Sequence, residues 1–500
     1  MKRKIVKLTK YALITGIALF ILLSAGVGLR LLYVVPQLQP WHTFVPGEFT
    51  AAEIDKASWE DYIRRESRLL DEVHREVVLK TPDSQRHPIN RYYEGSRVYP
   101  PNFKENWNRS YILIPENPKG AVVLLHGLTD APYNLRHVAR LYYQQGFVAV
   151  GIRAPGHGTV PAALTKVRWQ DWMAAARLAV REATRLAPEG SPLHVVGFSK
   201  GGTLAIKYAL DALEDDSLSR PDQLILISPM VGIVPISKVA EIMGIPSFLP
   251  GFEKAAWVSI IPEFNPFKYN SFPVNAIRQS RLLVTDMNRQ IIRLYNNGRI
   301  EELPPVIAFQ SIVDYTVSTP ALINDLYRYI PDNGSELVLF DINRDVKFIP
   351  LVRPVFINML SIMLPDLPQD YRITVIGSDG LGDSSAVERT VPPGGSYFTA
   401  RNLGLIYPPE VFSLSHISLP FPENDSLYGS SPDPETKNEF GINLGLVSHA
   451  QGERGVLEIN TNLFFRIASN PLFPYLEERI NQIIAETSMP PYARYAQESF

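Results

Sequence analysis

Short apolar runs alternate with amphipathic stretches through the middle of this chain. The runs have the length and near-continuous hydrophobicity of strands that are buried on both faces. They lie at 111–114, 121–125, 147–152, 193–198 and 224–227. Between them, at about 131–145, 168–187 and 200–213, apolar residues recur every three or four positions, as on the buried side of a helix. Repeated strand-helix-strand units predict an α/β fold, with a mostly parallel sheet covered by helices on both faces.

The pattern changes on either side of this region. A stripe of apolar residues at helical spacing predicts a packing helix within 51–80. After residue 228 the alternation breaks for about 75 residues that are rich in proline and aromatic side chains, which is typical of a cap or lid. Strands at 306–309 and 337–340 follow, and then a second irregular segment and a closing helix at 475–485.

These boundaries divide the chain into consecutive parts. In order, we expect a membrane anchor (1–35), a helical extension (36–109), the first part of the sheet domain (110–232), a cap or lid insertion (233–303), the second part of the sheet domain (304–343), a second insertion (344–410) and the end of the sheet domain with the closing helix (411–500).

The N-terminus combines a basic cluster with an uncharged apolar stretch. Five basic residues lie within the first ten, and residues 11–29 carry no charge. As a helix this stretch would be roughly 28 Å long, close to the hydrocarbon thickness of a bilayer. We therefore expect a single membrane-spanning helix with a cytoplasmic N-terminus and a periplasmic or extracellular folded domain. A cleaved signal peptide, with Ser24 and Gly26 near the cleavage position, is the alternative.

Composition narrows the class of protein. The 49 Lys and Arg residues against 51 Asp and Glu give a formal charge of −2, without the basic excess that nucleic-acid binding requires. Because 45% of the residues are hydrophobic, the chain can bury a substantial core. It has no cysteine, which excludes disulfides, thiolate metal sites and a cysteine nucleophile. Metal-binding and nucleotide-binding motifs are also missing from the sequence, so we expect no metal and no cofactor.

A candidate nucleophile lies where a predicted strand turns into a helix. The sequence Gly-Phe-Ser-Lys-Gly occupies 197–201 between the strand at 193–198 and the helix at 200–213. Small residues on both sides of Ser199 permit a turn sharp enough to project its hydroxyl from the sheet edge, and Gly202 favours close helix packing. In this context we predict that Ser199 is a nucleophile.

A second turn supplies candidate oxyanion donors. The strand at 121–125 runs into His-Gly-Leu-Thr-Asp at 126–130, at the same edge of the predicted sheet. The backbone N–H groups of Leu128 and Lys200 are expected to stabilise the negative oxygen of a tetrahedral intermediate. The Lys200 side chain is expected to be a solvated cation beside the pocket.

Several stretches of this sequence resemble the α/β-hydrolase superfamily, and more narrowly its monoacylglycerol lipase and serine aminopeptidase-like branch. They are His126-Gly127, the Arg-Ala-Pro-Gly-His-Gly-Thr sequence at 153–159, the segment 169–172 and the serine turn at 197–201. The resemblance covers about residues 110–345 well and the remainder loosely. It implies an α/β-hydrolase fold and a catalytic triad in the order nucleophile, acid, histidine.

This implied order restricts the remaining triad positions. Only His416 and His449 follow Ser199, and the segment around His416 resembles the histidine loop of bacterial membrane-anchored hydrolases of this superfamily. Asp314 matches the acid turn of the family, and Asp341 is the alternative. The resemblance thus implies a triad of Ser199, Asp314 and His416. The 102 positions between the last two are several times the usual connection.

These features predict a membrane-anchored serine hydrolase that cleaves carboxylic, lipid-like acyl esters through an acyl-enzyme intermediate. The expected partners are a small-molecule or lipid ester and the membrane, with no nucleic acid and no obligate protein partner. A thioesterase or a serine aminopeptidase-like peptidase can use the same triad, and Glu253 and Glu263 are available to bind a peptide's amino terminus. A catalytically silent membrane-bound scaffold is the alternative from another class. The apolar stretch 348–367 is expected either to pack against the sheet or to form an interfacial surface for lipid.

Overall fold

The computed structural model describes residues 35–232, 251–344, 349–380, 383–446, 451–454, 456–457 and 466–489, together with Thr15 and Ser247. Apart from Thr15 and Val35, the predicted anchor at 1–35 lies outside the described residues, and so does His449. No helix within the described ranges has the length and hydropathy needed to cross a bilayer.

A large sheet organises the described part of the chain. The strands are β1 (Tyr111–Leu113), β2 (Gly120–Leu125), β3 (Phe147–Ile152), β4 (Leu193–Phe198), β5 (Gln223–Ile227), β6 (Trp257–Ser259), β7 (Phe272–Pro273), β8 (Val306–Ser311), β9 (Glu336–Phe340), β10 (Arg372–Gly380), β11 (Asp383–Val391) and β12 (Thr399–Ile406). Within the described residues the main sheet has the order β1-β3-β2-β4-β5-β8-β9-β10-β11-β12, and β6 pairs with β7 separately. The strands from β3 to β10 are parallel, whereas β1, β11 and β12 pair antiparallel at the two edges.

Helices cover both faces of this sheet. The α-helices of the described residues are α1 (Pro40–Thr43), α2 (Ala51–Ile54), α3 (Trp59–Val73), α4 (Arg136–Gln144), α5 (Trp169–Leu186), α6 (Lys200–Glu214), α7 (Val274–Asn296), α8 (Thr319–Ala321), α9 (Pro354–Ile357), α10 (Met359–Met363) and α11 (Phe473–Ser488). Alternate strand residues enter opposite cores, because successive side chains of a strand point to opposite faces. Val123 packs in the core with α5, α6 and α7, and Val122 packs in the core with α4 and α11.

The predicted core elements are present. Each strand predicted between 110 and 340 appears within one or two residues of its expected bounds, and the helices predicted at 168–187 and 200–213 appear as α5 and α6. The N-terminal stripe forms α3, which begins with a capping box between Ser58 and Asp61 and continues into a π-helical turn, His74–Val78. A mostly parallel sheet with helices on both faces is therefore confirmed.

Two segments predicted to be irregular are regular in the structure. Within the expected cap, α7 packs its buried residues, which include Leu283, Met287 and Ile291, against α6 and the sheet face. Within the expected second insertion, β10, β11 and β12 extend the sheet beyond β9. The long interval between Asp314 and His416 therefore contains the four strands β9 to β12.

The described part of the apolar stretch, 349–367, is amphipathic in the structure. It contains the turn Ile349–Leu351 and the short helices α9 and α10. Leu360 and Met363 pack partly buried against the cores, whereas Val355 and Ile362 are 53% and 70% exposed. One side of the stretch is therefore a packing surface and the other faces outward.

The N-terminal extension is fixed to the sheet by buried charges. Glu66 on α3 accepts hydrogen bonds from the backbone N–H of Ser110 at 3.1 Å and from Arg153 Nε at 3.2 Å. The fully buried Arg153, next to the end of β3, also pairs with Glu48 Oε1 at 2.9 Å. Because each buried charge has a partner of opposite sign, the extension is an integral part of the fold.

Candidate active site

Ser199 occupies a strained turn between β4 and α6. Its φ of 54° lies in a region that residues with a side chain rarely adopt. The turn depends on glycine, since a Cβ on Gly197 would lie 2.3 Å from the Gly201 carbonyl oxygen and one on Gly201 would lie 1.7 Å from the Leu125 carbonyl oxygen. The Ser199 N–H donates to the carbonyl of Ile227 at 3.0 Å, which ties the turn to β5. The sequence Gly-Phe-Ser-Lys-Gly thus produces the sharp strand-to-helix turn that was predicted.

The turn at 126–130 lies against the start of α6. Close packing of Gly201 on the Leu125 and His126 carbonyls brings this turn beside Ser199. The N–H of Leu128 donates no hydrogen bond to the described residues. As the first residue of α6, Lys200 also has a backbone N–H without an intrahelical acceptor. Both predicted donors are therefore available, and their role as an oxyanion hole stays a prediction.

The structure brings Asp314 and His416 together. Asp314 follows β8, and its Oδ2 lies 2.8 Å from His416 Nδ1. Both side chains are buried, with exposed fractions of 0% and 5%. A carboxylate can only accept, so Nδ1 carries the proton of this hydrogen bond and Nε2 of the neutral ring is left as an acceptor. Such a histidine can take a proton from a hydroxyl.

The surroundings of Asp314 keep it ionised. Burial by itself would raise the pKa of this carboxyl, but its electrostatic interaction and hydrogen bond with His416 and the backbone N–H groups of Val317 and Thr316 outweigh the effect of burial. The pKa of Asp314 is therefore below its usual value. The Gln310 side chain adds a further hydrogen bond to Oδ2 at 3.1 Å.

His416 lies at the sheet edge that carries Ser199. Its ring contacts the ring of Phe198, the residue before Ser199, with centroids 5.1 Å apart. No hydrogen bond joins these two described side chains, Ser199 and His416, in this structure. The three predicted triad residues therefore converge on one edge of the sheet. Their catalytic roles stay predictions.

Sequence reasoning missed two residues that hold the histidine loop. Glu453 is fully buried, and its Oε2 accepts the His416 backbone N–H at 3.0 Å. Arg466 pairs with Glu453 at 2.9 Å and donates to the Thr316 hydroxyl, in the acid turn, at 2.8 Å. This link between the two loops has no signal in the local sequence, because the residues are far apart along the chain.

The expectation for the Lys200 side chain was wrong. The side chain is fully buried, with Nζ 3.2 Å from His157 Nε2 and 4.7 Å from the centre of the Trp172 ring. Because residues from β3's following loop and from α5 enclose it, no local pattern around Lys200 could reveal this burial.

The alternative site residues have other partners. Asp341 pairs with Arg344 at 2.8 Å and accepts a hydrogen bond from its neighbouring backbone. Glu263 is 1% exposed and accepts the backbone N–H groups of Asn270 and Ser271. Glu253 accepts the N–H of Gly251 near the surface. Among the described residues, no group of histidine and acidic side chains is arranged to hold a metal ion.

Comparisons with known proteins find similarity over the part of the chain that carries the turns at 126–130 and 197–201. Residues 116–260 match the family described as "Serine aminopeptidase, S33". The chain is 25% identical over 231 residues to a "Thermostable monoacylglycerol lipase" of Bacillus sp. (strain H-257), which covers 45% of this chain and 81% of the relative. It is 22% identical over 232 residues to a "Carboxylesterase" of Bacillus subtilis (strain 168), with 44% and 82% covered.

Solved structures with similarity to the chain include the metagenome-derived lipolytic enzymes LipS and LipT, with a TM-score of 0.38, 20% identity, and coverage of 47% of this chain and 88% of that one. A soluble variant of the monoglyceride lipase from Saccharomyces cerevisiae has a TM-score of 0.35 and 15% identity, with 46% and 81% covered. The family match and the two relatives agree with the resemblance carried by the turns at 126–130 and 197–201. Over residues 116–260 the chain is similar to the serine aminopeptidase family, and these matches support the α/β-hydrolase resemblance in its monoacylglycerol lipase and serine aminopeptidase-like branch.

Proposed function

We propose that this protein is a membrane-anchored serine hydrolase that cleaves carboxylic esters with Ser199 as nucleophile, His416 as general base and Asp314 as its acid partner. An esterase or lipase activity accords with the similar monoacylglycerol lipase and carboxylesterase. The observation that carries the proposal is the 2.8 Å hydrogen bond between His416 Nδ1 and Asp314 Oδ2, at the edge that holds the strained Ser199 turn.

The proposed reaction proceeds through an acyl-enzyme. Ser199 Oγ attacks the ester carbon while His416 Nε2 takes its proton, and the N–H groups of Leu128 and Lys200 bind the oxygen that becomes negative. Asp314 stabilises the resulting imidazolium. The C–O bond to the alcohol then breaks as His416 returns the proton to the leaving oxygen, which leaves the acyl group on Ser199. Water, deprotonated by His416, releases the acid by the same steps in reverse.

The substrates we propose are lipid-like acyl esters. The predicted anchor at 1–35 would keep the domain at a membrane, where such esters concentrate. The outward side of the 348–367 stretch, with Val355 and Ile362, offers apolar surface for an interface. Binding of lipid there and placement of the domain outside the cytoplasm belong to the same proposal.

Peptidase activity has less support in the structure. Glu263 is a candidate for binding a peptide's amino terminus, but its carboxylate already accepts hydrogen bonds from two backbone N–H groups. Matched acyl ester, acyl thioester and aminoacyl anilide substrates separate the three activities. We expect the ester to be cleaved fastest.

The decisive experiment compares the full chain in detergent micelles with its Ser199→Ala variant on p-nitrophenyl esters of increasing chain length. Loss of the nucleophile should lower turnover by roughly 10³-fold or more. Ser217→Ala, an exposed serine beyond the far end of α6, is the control and should retain full activity. Fluorophosphonate should label the wild type and the control but not Ser199→Ala. A wild type that neither hydrolyses esters nor takes the label would favour the silent scaffold.

The anchor needs a separate test. We expect the full chain to sediment with membranes and to resist carbonate extraction, with a protease-accessible domain on the side opposite the cytoplasm. Intact mass of the mature protein distinguishes anchor from cleaved signal peptide, since cleavage near Gly26 would remove the apolar stretch.

A further inference from the structure

A lysine side chain is buried directly behind the Ser199 turn. Lys200 is fully buried, and its Nζ donates to His157 Nε2 at 3.2 Å and lies over the ring of Trp172. No carboxylate of the described residues lies within ion-pair distance of this Nζ. Burying an ammonium group without a carboxylate partner costs free energy, so the Lys200 ammonium group destabilises the fold.

The lysine belongs to a chain of contacts that ends at the oxyanion turn. His157 Nδ1 faces the carbonyls of Ala154 and Pro155, so it carries the proton, and Nε2 accepts from Lys200. The His157 ring meets the His126 ring edge-on at 4.8 Å.

His126 continues the chain. Its Nε2 accepts the N–H of Ala154 at 3.0 Å, and its Nδ1 donates to the Gly127 carbonyl at 2.9 Å, next to Leu128. Both histidines are thus neutral in fixed tautomers, and burial, followed by the charge of Lys200, lowers the pKa of each.

The charges that face Lys200 come from two loops. Asp130, in the turn after β2, attracts its ammonium group but is itself paired with Lys268 at 2.7 Å. Arg153, after β3, adds positive charge near the two histidines and is neutralised by Glu48 and Glu66. Trp172 contributes an uncharged ring from α5.

We propose that Lys200 is a positioning residue of the oxyanion turn, and that its buried positive charge favours the negative oxygen of the tetrahedral intermediate. It acts through His157 and His126, which fix the turn carrying Leu128, and through its field in a site shielded from water. The inference rests on the proposed ester hydrolysis. It assigns the side chain a function separate from that of the Lys200 backbone N–H.

The pH dependence of hydrolysis provides the first readout. Burial lowers the pKa of Lys200 to about 7, with the charge of Asp130 acting against the shift. The value of kcat/KM reports groups of the free enzyme, so in the wild type it should fall as Lys200 loses its proton above about pH 7. In Lys200→Met this decline of kcat/KM in alkali, the alkaline limb of the pH profile, should disappear. The plateau value of kcat/KM should be about tenfold lower than in the wild type, a smaller loss than the roughly 100-fold loss that follows removal of a direct oxyanion donor. Lys200→Arg, which stays charged, should recover most of the plateau and keep it in alkali.

Stability provides a second readout that a merely structural lysine would not give. Methionine removes an unpaired buried charge, so Lys200→Met should unfold at an equal or higher temperature although it is less active. A folded-state pKa below the usual 10.5 means that the unfolded chain binds more protons between about pH 7 and pH 10.5. The wild type should therefore gain stability relative to Lys200→Met as the pH rises through that window.

Lys207→Met is the matched control on the same helix. Lys207 is also buried, but it pairs with Asp211 and lies 3.3 Å from Asp286, so its loss should lower the unfolding temperature and leave the alkaline limb unchanged. Fluorophosphonate labelling of wild-type Ser199 tests the proposed function independently. If the wild type is labelled and Lys200→Met keeps both the plateau and the limb, the role of Lys200 is overturned while the hydrolase stands. If Lys200→Met does not fold, Lys200→Arg is the deciding variant. The proposal is overturned if kcat/KM of Lys200→Arg falls well below the wild-type plateau, or if it still declines above about pH 7 as in the wild type.

Discussion

Two buried aspartates of this protein each accept a hydrogen bond from a histidine, and only one of them also binds an arginine. Asp314 lies 2.8 Å from His416 Nδ1, and Asp425 lies 2.8 Å from His137 Nε2. Asp425 Oδ2 also binds Arg136 at 2.5 Å. Within the described residues, Asp314 has no lysine or arginine at ion-pair distance.

The presence or absence of an arginine beside the aspartate changes how readily the histidine can accept a proton. Burial, followed by the charge of Arg136, lowers the pKa of His137 to about 4, and this histidine stays neutral at physiological pH. His416 faces a carboxylate that pairs with no lysine or arginine of the described residues, and in the proposed reaction the charge of this carboxylate stabilises the imidazolium. The same pair geometry thus serves structure in one place and is suited to proton transfer in the other.

The largest effect should follow from neutralising the first pair. Asp314→Asn preserves the shape of the carboxyl but no longer stabilises an imidazolium or fixes the His416 tautomer. We expect kcat for ester hydrolysis to fall by about 10⁴-fold, with the fold retained by circular dichroism. Asp341→Asn is the control, because it neutralises the alternative acid, which pairs with Arg344. Loss of activity in the control together with retention in Asp314→Asn would reverse the assignment.

Neutralising the second pair should cost stability and spare activity. Asp425→Asn leaves the buried Arg136 without its counterion, which destabilises proteins by about 3–5 kcal/mol. Urea unfolding at pH 7 measures this change. Burial opposes ionisation of Asp425, but Arg136 and the hydrogen bonds hold its pKa far below the usual value, so its contribution is present at neutral pH and is lost as the pH falls below the usual carboxyl pKa. A variant that keeps its stability and loses kcat would place this pair in the chemistry.

The first half of the fold could be predicted from the sequence for a physical reason. Strands buried on both faces, such as β2 to β5, are almost continuously apolar, and they stand out between polar turns. The outer strands lack an apolar run, because β11 is mostly half-buried, β12 is mostly exposed, and both mix charged with apolar residues.

Helix α7 did carry a signal. Its buried residues Leu283, Met287, Ile291 and Leu294 are spaced by three or four positions, yet the proline-rich and aromatic neighbourhood obscured them. Ser199 could be identified because the chemistry requires a local turn. The burial of Lys200 depends on side chains more than twenty residues away, such as Trp172, and only the folded chain brings them together.

A smaller effect should follow from weakening the support of His416. Glu453→Gln removes the charge that pairs with Arg466 and weakens the hydrogen bond from the His416 backbone N–H. We expect kcat to fall about tenfold with little change in KM, because a hydrogen bond to a charged group contributes about 1.5–3 kcal/mol and only part of it bears on the ring position. Glu410→Gln, an exposed carboxyl before the histidine loop, should behave as the wild type. Equal losses in both variants would contradict a specific role for Glu453.

The smallest effect should come from the histidine of the second pair. His137→Gln keeps an amide donor for Asp425, so the free energy of unfolding at pH 7 should fall by about 1 kcal/mol or less. Ester hydrolysis by His137→Gln should be unchanged, whereas His416→Gln should abolish it. A folded-state pKa of about 4 against the usual 6.5 means that the unfolded chain takes up the proton first on acidification. The wild type should therefore lose stability between pH 6.5 and pH 4, and His137→Gln should lose less over the same interval. Equal acid sensitivity of the two proteins would mean that His137 is protonated in the fold, and the contrast between the two aspartate–histidine pairs would then rest on position alone.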